Sequence, residues 1–182
     1  MFDSAYRIKG SYATKVKYLT DPIQPGRTHL KFQIFNRYVD VIECAAILGF
    51  RFNRKVVIPD PNDEDDTLIE IPVNTMINEA DSLLFIYRMI MLNDNSCTVP
   101  DLEMYRGLSS EDASLRYRVD NAFRFDSDSP RVKSNMDLFN AYVRGGVDYL
   151  YDKFQNVKTR EDAIEVMNQL LSLSEGTEDL DP

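Results

Sequence analysis

Apolar residues recur at three- and four-residue spacing along several stretches of this chain, the period of helices with one buried face. The longest is Met136, Phe139, Val143, Val147, Leu150 and Phe154, a stripe without a gap. Gly145-Gly146 sits in its middle, at a cost of about 1 kcal/mol per glycine relative to alanine. Such a pair either admits a neighbouring backbone or permits a kink. Phe32, Phe35, Val39, Ile42 and Ala46 predict a second helix, stopped at Gly49. A third is expected from about Thr75 to Leu92, where Ile77, Leu84, Ile86, Arg88 and Met91 leave it apolar nearly all round. Ser109 caps a fourth, since the acids that follow favour the positive helix end. Leu115, Val119, Ala122 and Phe123 form its expected core face. Thr159-Arg160-Glu161-Asp162 resembles a capping box ahead of a fifth helix, with Ala163, Met167, Leu170 and Leu171 as its buried stripe.

Two short runs read as strands instead. Arg54 to Pro59 reads as a strand, and Leu68 to Val73 is placed to pair with it as a hairpin across the acidic loop Asp60 to Thr67. The N-terminal arm, Ser4 to Thr20, is either a helix broken at Gly10 or an extended segment, and Asp21-Pro22 and Gln24-Pro25-Gly26 turn the chain after it. The predicted fold is mainly α: a compact helical bundle of about five helices with one short β-hairpin. It forms a single domain over residues 1–174, with a basic arm at 1–28, the hairpin at about 54–73, and a disordered acidic tail at 175–182.

Composition supports one globular unit. The apolar fraction is 43% and the charged fraction 28%, ordinary values for a packed domain. A chain of 182 residues buries roughly 70% of its unfolded surface and needs no metal or disulfide staple. The opening MFDSAYRIKG lacks the apolar core of a secretory signal, and Leu83–Leu92 is interrupted by Arg88 and too short for a bilayer. A cytoplasmic location with no membrane contact is the expectation.

Charge is divided unevenly. Ser4 to Ile58 carries ten Lys/Arg against three acids, a balance of +7; Pro59 to Pro182 carries eleven against twenty-six, a balance of −15. Either the two halves attract each other within one fold or oligomer, or the basic third meets nucleic acid or an acidic protein. In that third, cations interleave with tyrosines at Tyr6-Arg7, Lys9, Tyr12, Lys15, Lys17-Tyr18, Arg27, Lys31 and Arg37-Tyr38. Cations neutralise phosphates and aromatics stack on bases, so Arg7, Lys9, Lys15, Lys17, Arg27, Lys31 and Arg37 are the candidate nucleic-acid-binding set. The alternative is that the tyrosines pack in the core beneath solvated lysines.

Catalytic motifs are not found. His29 is the sole histidine; Cys44 lies inside an apolar helix and Cys97 in a polar stretch, and two cysteines are too few for a thiolate metal site. The run from Asp60 to Asp66 fails as a calcium loop, because Asp65 and Ile71 stand where glycine and glutamate are required; a solvated loop is the reading. Glu70 and Lys55, on the two expected strands, offer one conceivable nuclease pair. Phosphate-binding glycine loops and a nucleophile elbow are missing. No cofactor or metal is expected.

The stretch Phe35 to Pro59, FNRYVDVIECAAILGFRFNRKVVIP, resembles a segment of small proteins that accompany bacterial DNA phosphorothioation (Dnd) systems. The likeness spans twenty-five of 182 residues and holds no catalytic motif, so no functional residue transfers with it. It implies an accessory protein of a phage-defence operon, working with larger subunits at DNA. The expected function is therefore a non-catalytic accessory or scaffold subunit of a bacterial anti-phage or DNA-processing complex, acting through contacts with larger protein subunits, with homo-oligomers also open. The alternatives are a nucleic-acid-binding protein using the basic third for DNA or RNA, and a metal-dependent nuclease.

Overall fold

The stripe centred on Val143 forms the axis of the molecule. The computed structural model describes residues 2–22, 32–57, 60, 63–94, 107–124, 126 and 129–172. In chain order these form β1 (Tyr6–Lys9), α1 (Ser11–Thr20), α2 (Tyr38–Arg51), β2 (Leu68–Ile71), α3 (Val73–Asn78), α4 (Ala80–Asn93), α5 (Ser110–Phe123), α6 (Pro130–Phe154) and α7 (Arg160–Ser172). The fold is mainly helical with one two-stranded antiparallel sheet. At 25 residues, α6 runs about 37 Å and touches α1, α2, α4, α5 and α7. Its predicted residues Phe139, Val143, Val147, Leu150 and Phe154 are all buried.

The glycine pair admits a backbone rather than kinking the helix. A methyl group on Gly146 would overlap the Ala45 carbonyl, one on Gly49 the Tyr142 carbonyl, and one on Gly145 the Arg54 carbonyl. Helices α2 and α6 therefore cross with main chain against main chain, and Ala45, Ala46 and Gly49 line the α2 side. The about 1 kcal/mol cost of each glycine is offset by the dispersion contacts this approach permits.

Helix α2 begins later than the periodicity predicts. Phe32 and Phe35 precede it and pack against the core from an irregular segment. There the Phe35 N–H donates to the Leu19 carbonyl (3.2 Å) and the Gln33 side-chain amide to the Thr20 carbonyl (3.0 Å), strapping this segment across the end of α1. Arg37 then caps α2, with its N–H donating to Asp40 at 3.1 Å. The predicted third helix is divided at Glu79 into α3 and α4.

The arm before Pro22 is both extended and helical. Gly10, at φ +72°, makes the turn from β1 into α1, a conformation that only glycine adopts without strain. The strand β2 pairs with β1, in the register Tyr6 opposite Ile71 and Lys9 opposite Leu68, and not with the described residues 54–57 of the partner strand that the sequence predicts at Arg54 to Pro59. The reason lies in α6. The Val56 N–H donates to the Ala141 carbonyl (3.0 Å), and Arg144 donates to the carbonyls of Val56 (2.8 Å) and Val57 (3.1 Å). Val56 and Val57 thus spend these main-chain groups on α6, which leaves β2 to the arm.

The acidic loop is not simply solvated. Gly10 has no side chain to cap α1, and Asp63 takes that part by accepting from the Ser11 N–H at 2.8 Å. Asp65 accepts from Thr14 Oγ1 at 2.6 Å, and the Gly10 N–H donates to the Thr67 carbonyl at 2.9 Å. Hydrogen bonds from the Ser11 N–H hold the Asp63 carboxyl below its usual range, and those from Thr14 and Thr67 do the same for Asp65. The last helix starts on the expected capping box, where Thr159 and Asp162 exchange bonds at 3.1 and 3.0 Å. The acidic tail 175–182 lies outside the described residues.

One buried polar node fixes where the chain leaves α2. Asp94, 2% exposed, accepts from Lys55 Nζ (3.1 Å) and from the Tyr142 hydroxyl (3.1 Å). Breaking a buried pair from one side leaves an uncompensated charge. Asp94→Ala is expected to cost about 3 kcal/mol, read from the urea midpoint. Gly146→Ala is expected to cost about 3 kcal/mol by overpacking. The matched control Gly107→Ala meets no neighbour and bears only the strain of φ +94°, about 1–2 kcal/mol.

Candidate functional site

The basic third supplies the first candidate. Arg7 and Lys9 lie on the outward face of β1, and Lys15 and Lys17 on α1. Arg37 lies apart from them, at the start of α2. Arg7 pairs with Glu70 across the strands, Lys15 with Asp148 of α6 (2.6 Å), and Arg37 with both Asp40 and Glu79. Lys17 lies close enough to Asp65 to help lower its pKa. Arg27, Lys31, His29 and Cys97 lie outside the described residues.

Arg7–Glu70, Lys15–Asp148, Arg37–Glu79 and Lys55–Asp94 each join a base from before residue 58 to an acid from beyond it. The opposed charges of the two halves are thus met inside the fold. Apart from the buried Lys55–Asp94 pair, these are exposed or half-exposed and contribute little to stability, but they consume cationic charge that a phosphate backbone would otherwise see. Tyrosines also turn inward: Tyr6 donates to Asn140 at 2.6 Å, and Tyr18 to the Gln155 carbonyl at 2.9 Å.

The nuclease pair is not assembled. Glu70 is bound to Arg7 and Lys55 to Asp94. Among the described residues no group of three or more His, Cys, Asp or Glu side chains is placed to hold a metal ion. Burial pushes the Cys44 thiol up to about 11, which keeps it protonated and unreactive. No described helix is long and apolar enough to cross a membrane.

The second candidate is one that the sequence reading placed inside. On α5 Ala122 is buried as expected, but the other three residues expected to face the core point outward: Leu115, Val119 and Phe123 are 53%, 39% and 55% exposed. They step by four and so form one stripe along the helix. Ala113, Asn121 and Ala122 take the buried positions, with Tyr87 and Asn135 both donating to the Asn121 carbonyl. Beside the stripe, the Arg88 guanidinium of α4 stacks 5.0 Å from the Phe123 ring centre. Phe85, one turn before Arg88, is 69% exposed. Asp112 and Arg116 share the same exposed arc of α5.

A smaller stripe lies on α7. Ala163 and Leu170 are buried as expected, whereas Met167 and Leu171 are exposed together with Ile164. The helical period had marked both stripes. It did not say whether the apolar face meets this chain or another one.

No family model, no curated protein and no solved structure matches the chain.

Electrostatics around Arg37 yield a pH prediction. Burial, with help from Glu79 and Asp40, raises the pKa of Glu43, against an opposing hydrogen bond from Ser82. A carboxyl with a raised folded pKa supports the fold most when protonated, and that support fades as pH rises through the raised value. Glu43→Gln is expected to raise the urea midpoint at neutral pH and to leave it nearly unchanged in acid below the raised pKa, where the wild-type side chain is already protonated.

Proposed function

We propose that this protein is a non-catalytic accessory subunit of a bacterial anti-phage or DNA-processing assembly, and that it joins a larger protein through the α5 stripe. The carrying observation is the outward placement of Leu115, Val119 and Phe123 along one face of α5. Contiguous apolar surface of this kind marks interaction sites on soluble proteins. Aromatic side chains set among polar neighbours supply the anchors of protein interfaces. Asp112 and Arg116 give the patch a polar border, so the partner it fits is an apolar protein groove with a charged rim.

The internal use of charge supports the same reading. Arg7, Lys15 and Arg37 are engaged by carboxylates, which weakens the case for a phosphate-binding face. The setting comes from the likeness of residues 35–59 to Dnd accessory proteins. That segment forms α2 and the stretch that crosses α6, so it speaks to a shared packing unit and carries no site of its own.

The test uses the tagged full chain, expressed in its host together with the neighbouring genes. One gene product is expected to co-purify in a stoichiometric amount. Phe123→Asp combined with Val119→Asp should abolish recovery while leaving the urea midpoint unchanged, and raising salt several-fold should reduce recovery by less than about threefold. Retention by the double variant would overturn the α5 reading. Tight DNA binding that falls steeply with salt and is lost in Lys15→Glu with Lys17→Glu would overturn the accessory reading in favour of nucleic-acid recognition.

A further inference from the structure

Along α5 and its C-terminal cap, acid and base alternate at every fourth position: Asp112, Arg116, Asp120 and Arg124. Residues four apart are neighbours on a helix surface, so these four form one row. The row runs beside the apolar stripe, because Arg116, Asp120 and Arg124 each directly follow a stripe residue, Leu115, Val119 or Phe123. Asp112, Arg116 and Arg124 are exposed, and Asp120 is half-buried.

The simplest use of such spacing is pairing within the helix, Asp112 with Arg116 and Asp120 with Arg124. Neither pair closes. Asp112 turns back to Ser109, whose hydroxyl donates to it at 2.5 Å. Among the described residues no carboxylate reaches the guanidinium of Arg116 or of Arg124. This sets them apart from Arg7, Lys15 and Arg37, whose charges are met inside the fold.

A row of alternating sign has a direction. From its N-terminal end it reads acid, base, acid, base; from the other end it reads base, acid, base, acid. It is therefore its own complement when two copies lie antiparallel. A twofold rotation sets Asp112 of each copy opposite Arg124 of the other, and Arg116 opposite Asp120. The same rotation brings the two stripes together, the Leu115 end of one beside the Phe123 end of the other. A parallel pair would set like charges together at all four levels. Self-complementarity of this kind defines the interface of a twofold dimer. We propose that a second copy of this chain, antiparallel across α5, covers the stripe. The inference rests on the reading of α5 as an interface, and makes a second copy its occupant when the larger subunit is absent. Two short helices alone bury less than the about 1,600 Å² of a standard stable interface, so the dimer is weak and yields to a partner that offers more surface.

The experiment is sedimentation equilibrium on the full chain, with no other protein present, from about 5 to about 500 µM. The mass is expected to climb from one chain towards two, with a Kd of about 10–100 µM. Phe123→Asp combined with Val119→Asp should keep the chain monomeric throughout. Arg124→Asp sets an acid against Asp112 of the second copy, and Asp112→Arg sets a base against Arg124. Each alone should weaken self-association by about tenfold or more. An equimolar mixture of these two variants restores opposite charge at both ends and should recover a dimer within about threefold of the wild-type affinity. Loss of fold in either variant could not produce that recovery. The proposal is overturned by a wild-type chain that stays monomeric at about 500 µM, by a dimer that survives Phe123→Asp with Val119→Asp, or by a mixture no better than its separate components. None of these results decides whether the larger protein uses α5, which stands or falls on its co-purification and on the loss of that co-purification in the apolar double variant.

Discussion

Everything in this fold is arranged around the place where α2 and α6 touch backbone to backbone. Gly49 lies against Tyr142, Gly146 against Ala45 and Gly145 against Arg54. At each contact a single methyl group would occupy space already held by a carbonyl. This close approach puts the stretch after α2 directly on α6, so that Val56 bonds to Ala141 and Arg144 bonds back to Val56 and Val57. It also sets Lys55 beside Asp94 and Tyr142, which ties the C-terminal end of α4 to the same point. Wider separation at the crossing would dissolve these contacts together.

A second-order consequence is the sheet. Once residues 54–57 are committed to α6, β2 is free to take the N-terminal arm as its partner. The arm is then held at three levels: strand pairing, the Asp63 cap on α1, and the Tyr6–Asn140 and Lys15–Asp148 bonds to α6. That is why a segment rich in lysine and tyrosine, which could have stood away from the body as a basic arm, instead roofs the polar line of α6 and encloses a cavity. The same placement brings the basic third of the chain against acids from the remainder, and a strongly divided sequence becomes a fold in which opposite charges meet.

The surface proposed to act has its own physical character. The α5 stripe is apolar, convex and rimmed by charge, suited to the large and shallow contact that a protein makes.

The sequence by itself determined the helices. Each of the five periodic stretches became one or two helices, the α6 stripe is buried as read from Phe139 onward, and the caps at Ser109 and Thr159 form, because period and capping are local properties carried by neighbours in the chain. Tertiary structure decided the rest. The glycine pair in α6 was visible, but only a second helix could choose between close approach and a kink. The β2 strand was visible, but its partner depended on what Arg144 did with Val56. The Leu115–Phe123 stripe was visible, but its direction depended on Tyr87 and Asn135 reaching Asn121 and turning the opposite face of α5 inward. Periodicity marks an apolar face without naming what covers it, since burial is a property of the neighbours a face finds and not of the face alone.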